Sequence, residues 1–139
     1  MAGAVSESEL INSRELAPAV GFSHAVRTGA GTVYLAGQTA QGPDGTIVGE
    51  TIAEQFDVAA GNLMTALRAA GGGPDDVVSL QVFVTSVADY RASLSELAPV
   101  WRGHFGRRYP AIGLFGVSEL FDPEAKVELM GVAVLSPAR

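Results

Sequence analysis

The sequence predicts an α+β fold, a mixed β-sheet with two helices on one face. Three observations carry this. Residues 51–70 repeat apolar side chains at helical spacing, and a second helical stretch ends near Phe105. Short β-rich runs surround the helices, giving the order β-β-β-α-β-α-β-β. The final run, residues 127–135, alternates Val127, Leu129, Gly131, Ala133 and Leu135 against Glu128, Met130, Val132 and Val134. Both of its faces are largely apolar, so both sides of the strand require cover. The chain's own helices supply one cover, and a second copy of the protein is the natural source of the other.

Taken in order, residues 1–12 read as a flexible start approaching an edge strand. Residues 22–27 form a short strand, stopped by Thr28-Gly29-Ala30-Gly31, and residues 32–38 form a second one. Gly42-Pro43-Asp44-Gly45 is a turn, because proline presets φ and the second glycine accepts φ > 0. Residues 46–48 then return as a short strand, completing an antiparallel meander. Thr51 followed three residues later by Glu54 is a capping box. The stripe of Ile52, Phe56, Ala59, Leu63, Ala66, Leu67 and Ala70 makes one apolar helix face. Gly71-Gly72-Gly73-Pro74 ends that helix. A phosphate-binding reading of the glycine run fails, because the run follows a helix and has no Lys-Ser/Thr after it.

Residues 77–85 form a strand with Val78, Leu80, Val82 and Val84 on one side and Ser79, Gln81, Phe83 and Thr85 on the other. Ser86 and Asp89 signal a second helix, with Leu94, Leu97, Trp101 and Phe105 inward. Pro99 removes a backbone donor, so the helix either starts near Ser95 or is kinked there. Residues 109–117 are a strand whose Pro110 sits at its start, where the missing N–H costs least. Asp122-Pro123 marks the turn to the last strand.

A chain of 139 residues fits one domain with a real core, here spanning residues 1–139. Hydrophobic residues at 47% against 17% charged ones describe a folded chain rather than a disordered one. Net charge is −6, with no basic cluster beyond Arg107-Arg108, which argues against nucleic acid as a partner. The absence of cysteine excludes disulfides, thiol catalysis and thiolate metal sites. His24 and His104 match no metal-ligand spacing, so no metal or cofactor is expected. No apolar run reaches membrane-spanning length, and the acidic residues 1–9 carry no signal-peptide pattern. The expectation is a cytoplasmic protein with no membrane partner.

With these elements in place, the chain resembles the RidA/YjgF family of reactive-intermediate imine deaminases over roughly residues 18–135. The markers are Phe-Ser-His-Ala-Val at 22–26, Val-Tyr-Leu-Ala-Gly-Gln at 33–38 and Ala-Ala-Gly-Gly at 69–72. They continue with Asp-Asp-Val-Val-Ser-Leu-Gln-Val-Phe-Val-Thr at 75–85, Tyr-Pro-Ala at 109–111 and Val-Glu-Leu-Met-Gly-Val-Ala-Val at 127–134. Each is weak alone, but their order and spacing are specific. The resemblance implies a chorismate-mutase-like fold, a homotrimer, and ligand pockets between subunits. It also implies cofactor-free hydrolysis of imines and enamines to keto acids and ammonia. In that chemistry an arginine pairs with the substrate carboxylate, while a glutamate and a tyrosine orient water or move protons.

This sequence departs from the pattern at those positions. The arginine of Pro-Ala-Arg is Ile112, the tyrosine of Pro-Tyr-Ser is Phe22, and the serine of Ser-Gly-Gln is Ala36. The second glutamate of Glu-x-Glu is Met130, which leaves only Glu128, and the cysteine of the strand after the arginine is Leu114. The implied ligand pocket, from Phe22, Ser23, Ala36, Gly37, Ile112, Gly113, Leu114 and Met130, therefore suits an apolar or aromatic ligand. An unclamped carboxylate there would be desolvated without a partner, so ordinary deaminase activity is expected to be weak or absent.

Catalytic candidates are few. Glu128 qualifies as a general base with a raised pKa, with a structural ion pair to Arg107 or Lys126 as the alternative. Glu119 lies in the connecting loop, where a solvated acid is the plainer reading. His24 shares a strand face with Phe22 and would titrate near neutral pH over the pocket; an ordinary interface histidine is the alternative. His104 complements a helix C-terminus, Arg107 and Arg108 cap that helix, and Trp101 packs in the core. Three functions compete. One is a trimer binding a small apolar metabolite or reactive intermediate at subunit interfaces. The others are an imine deaminase with a substituted clamp and a non-catalytic, chaperone-like trimer. A ribonuclease fits least, given the charge and the lack of paired histidines or a lysine cluster.

Overall fold

The computed structural model describes residues 7–137. Three strands come first, β1 (Glu9–Ile11), β2 (Ala25–Arg27) and β3 (Thr32–Gln38). Helix α1 (Ile52–Ala69) and strand β4 (Val77–Val84) follow. Helices α2 (Val87–Ala92) and α3 (Leu94–Phe105) then lead to β5 (Ala111–Gly116) and β6 (Val127–Val134). One mixed sheet runs in the order β1-β2-β3-β6-β4-β5. Only β4 and β5 pair in parallel; the other neighbours are antiparallel. A parallel pair needs a long crossover, and α2 with α3 provides it. The last strand enters the sheet at its centre, between β3 and β4.

Local chemistry explains the surest elements. The Thr51 hydroxyl accepts the Glu54 N–H at 3.1 Å, and the Glu54 carboxylate accepts the N–H groups of Thr51 and Glu50. Ile52, Phe56, Ala59, Leu63, Ala66 and Leu67 of α1 are buried against the sheet and α3. At the far end Gly71 takes φ +94°, and the Gly71 and Gly72 N–H groups bond back to Arg68 and Leu67. This is a Schellman stop, as the glycine run predicts. The turn at residues 42–45 closes with a Gly45 N–H to Gly42 O bond of 2.9 Å. On β6, Val127, Leu129 and Ala133 are fully buried beneath the helices. Burying each Val or Leu side chain contributes about 1.5–3 kcal/mol.

Several sequence expectations change. Residues 46–48 form no strand and make only an isolated bridge, Gln41 to Ile47. The strand expected over 22–27 is confined to Ala25–Arg27, because the segment before it is bonded to residues 12–17. The second helix is two helices that meet at Ser93, the last cap of α2 and the first of α3. Pro99 sits inside α3, and its missing bond leaves the carbonyl of Ser95, an exposed residue. Leu94 is 53% exposed rather than inward, while Leu97, Trp101 and Phe105 are buried as expected. Val78 is also exposed, because a β-bulge between Val77 and Ser79 puts Val77 on the helix side instead. Trp101 packs with Phe56, Phe105 and Tyr109, yet its indole N–H has no hydrogen-bond partner among the described residues.

Candidate functional site

The helices cover one side of the sheet, and the other side is open. Its residues follow from strand register. Gln81 lies opposite Met130, and Phe83 opposite both Glu128 and Phe115. Tyr34 lies opposite Val132 and Val26. The Phe83 and Phe115 rings stack at 5.6 Å. Tyr34, Phe115, Met130 and Val134 are each at least 40% exposed.

A second β-bulge shapes the middle of this face. Leu35 pairs with Gly131 and Gln38 with Leu129, so Ala36 and Gly37 together face the single residue Met130. The extra residue lets the Glu128 carboxylate fold across Gly37, where an added Cβ would overlap it. Glycine is favoured here by the close approach of that side chain, which a larger residue would force to swing away, and not by its φ. Glu128 is half-buried, and burial raises its carboxyl above the ordinary glutamate value of 4.5. Neither Arg107 nor Lys126 pairs with it. Among the described residues the ion pairs are Arg27–Glu9 and His104–Asp57.

Ala36, Gly37, Glu128 and Met130 thus form one constellation. Phe22 and Ser23 lie just ahead of β2, beside the end of β3, since the next residue's carbonyl, His24 O, accepts the Ala36 N–H at 3.0 Å. Phe22 is half exposed, with its ring edge-on to His24 at 5.9 Å.

Other candidates fall elsewhere. Ile112 and Leu114 register with Leu80 and Val82, so they project toward the helix side, opposite to Met130. Leu114 packs on the core and Ile112 is 45% exposed at the sheet edge. Only Gly113, opposite Gln81, shares the open face. Within one chain Ile112 and Met130 do not form one pocket floor.

His24 is 2% exposed, and backbone groups occupy both ring nitrogens. Nδ1 accepts the Ser13 N–H and Nε2 donates to Ala17 O, each at 3.0 Å. Both nitrogens are thus engaged in pinning residues 12–17, which leaves neither free to face a ligand over the open side. Glu119 is exposed and lines a separate depression of about 600 Å³ with Thr85, Ser118, Pro123 and Lys126. His104 meets Asp57 of α1 at 2.6 Å, and Arg107 and Arg108 are exposed after α3. No cluster of three or more metal-ligating side chains occurs among the described residues. Nor is any described helix long and apolar enough to cross a membrane.

Sequence reasoning missed the Phe83–Phe115 pair and the bulge. Gly37 inside a β-rich run was the available signal, because glycine in a strand marks a bulge or a close approach.

A mixed sheet with helices on one face and a last strand inserted at its centre define the class as an α+β domain. The chain belongs to the RidA/YjgF family: the family model described as Endoribonuclease L-PSP matches residues 12–135. It is 31% identical over 115 residues to a 2-iminobutanoate/2-iminopropanoate deaminase of Dermatophagoides farinae, covering 82% of this chain and 85% of that protein. A mitochondrial protein of Schizosaccharomyces pombe, mmf2, is 35% identical over 82 residues, or 59% of this chain, which spans 64% of that relative's length. The crystal structure of RidA from an Antarctic Psychrobacter superposes with a TM-score of 0.79 at 27% identity, covering 91% of this chain and 99% of that one.

Proposed function

We propose that this chain forms a homotrimer through its open sheet face and binds a small, fairly apolar metabolite or reactive intermediate at the seam. The observation that carries this is the Glu128 carboxylate, half-buried across Gly37 on a face otherwise made of apolar and uncharged groups. Glu128 is the acid–base group of the pocket, since burial holds its pKa above the usual carboxylate range. Ile112 at the exposed sheet edge reaches a pocket only across a junction between copies. It brings no charge, so an α-imino acid has no carboxylate clamp, and ordinary deaminase activity is weak.

The test generates imines from aliphatic and aromatic amino acids with an amino-acid oxidase and follows their lifetime with and without the protein. No acceleration is expected for any of them. Clear acceleration would contradict this reading and favour the second one, a deaminase with a substituted clamp. The deaminase name of the Dermatophagoides relative and the exposed Arg107 and Arg108 next to β5 support that alternative.

A further inference from the structure

The four strands β3, β4, β5 and β6 carry one ionic side chain between them, Glu128. The nearest basic residue on a strand, Arg27, is bound on the helix side by Ala70 O and by Glu9. Lys126 precedes β6 and lines the depression that holds Glu119 and Glu124. The only other ionisable group on these strands is the Tyr34 phenol. A carboxylate half-removed from water, with no cation paired to it among the described residues, is an unmet electrostatic demand. The rings of Phe83, directly across the ladder, and Phe115, stacked on it, offer π-faces that also favour a cation. A ligand carboxylate would meet like charge and, among the described residues, no cation on this face.

We propose that this face selects a nitrogen cation without a carboxylate: a protonated amine or iminium on an apolar or aromatic body, with the charge against Glu128. This rests on the reading of the open face as the ligand site and names the substrate class of that site. It inverts the demand of an imino-acid site, in which the protein supplies the cation and the ligand the anion.

Benzylamine, benzyl alcohol and phenylacetate share one ring and differ in charge, and their affinities for the full chain can be read by ligand-observed NMR titration. Benzylamine is expected to bind about tenfold or more tightly than the alcohol, with phenylacetate weakest. Glu128→Gln is expected to erase the amine's advantage over the alcohol. Glu119→Gln, in the separate depression, is expected to preserve it, which separates a local partner from the net negative charge of the chain. Phenylacetate binding as well as the amine, or an amine advantage that survives Glu128→Gln, would overturn this inference while leaving the ligand site standing. Failure of all three probes to bind would overturn the site itself and the inference with it.

Discussion

The two sides of the central sheet come from the same strands and meet opposite fates. On β6, Leu129 is fully buried under α1, while its neighbour Met130 is 40% exposed on the far side. On β4, Leu80 and Val82 are buried and Gln81 and Phe83 are only half so. One side is a finished core. The other is apolar enough to need cover and carries one acid, Glu128, with no ion-pair partner among the described residues. The difference teaches that apolar alternation alone does not locate a core; what the chain folds over each side decides it. The uncovered side is where the proposed assembly and ligand binding are placed.

The comparison breaks most sharply at those two neighbours. Leu129→Ala is expected to cost about 2–5 kcal/mol in urea unfolding, through lost burial and a residual cavity, at any protein concentration. Met130→Ala is expected to cost less at high dilution, and its cost should grow with concentration as copies cover the face. Equal, concentration-independent costs would erase the distinction.

A smaller effect sharpens it. Glu128 has a folded-state pKa above the ordinary 4.5, so the folded chain holds its proton more tightly than the unfolded chain does. Stability from this group is therefore lost as pH rises through that range and regained as pH falls below 4.5. Glu128→Gln removes the penalty. Its melting temperature should exceed wild type at neutral pH, and the gap should close on acidification below 4.5. A variant that melts below wild type at neutral pH, with that deficit closing on acidification, would mean that Glu128 is held by a cation after all.

Much of this was legible in the sequence, for local reasons. Thr51 with Glu54, and the glycines after Ala70, act within a few residues of themselves, so pattern alone places α1 and its ends. The alternation on β6 was readable because the strand is regular. What escaped depends on partners far along the chain. The bulges at Val77–Ser79 and Leu35–Gln38 shift alternation by one residue, and cross-strand pairing creates them. The β4–β5 register sends Ile112 and Leu114 to the helix side. His24 is consumed by Ser13 and Ala17, which no spacing rule pairs with it. Of the site, the retained Glu128 and the apolar replacements were visible as residue types. Their placement across Gly37 was not.

The central claim is that copies of this chain cover the open face. Sedimentation velocity across a range of protein concentrations tests it most directly, comparing wild type with Val132→Glu, a charge placed on that face. The account predicts that wild type sediments as a trimer and that the variant falls to single folded chains. A wild-type protein that stays a single chain at every concentration, or a variant that remains trimeric, would contradict it.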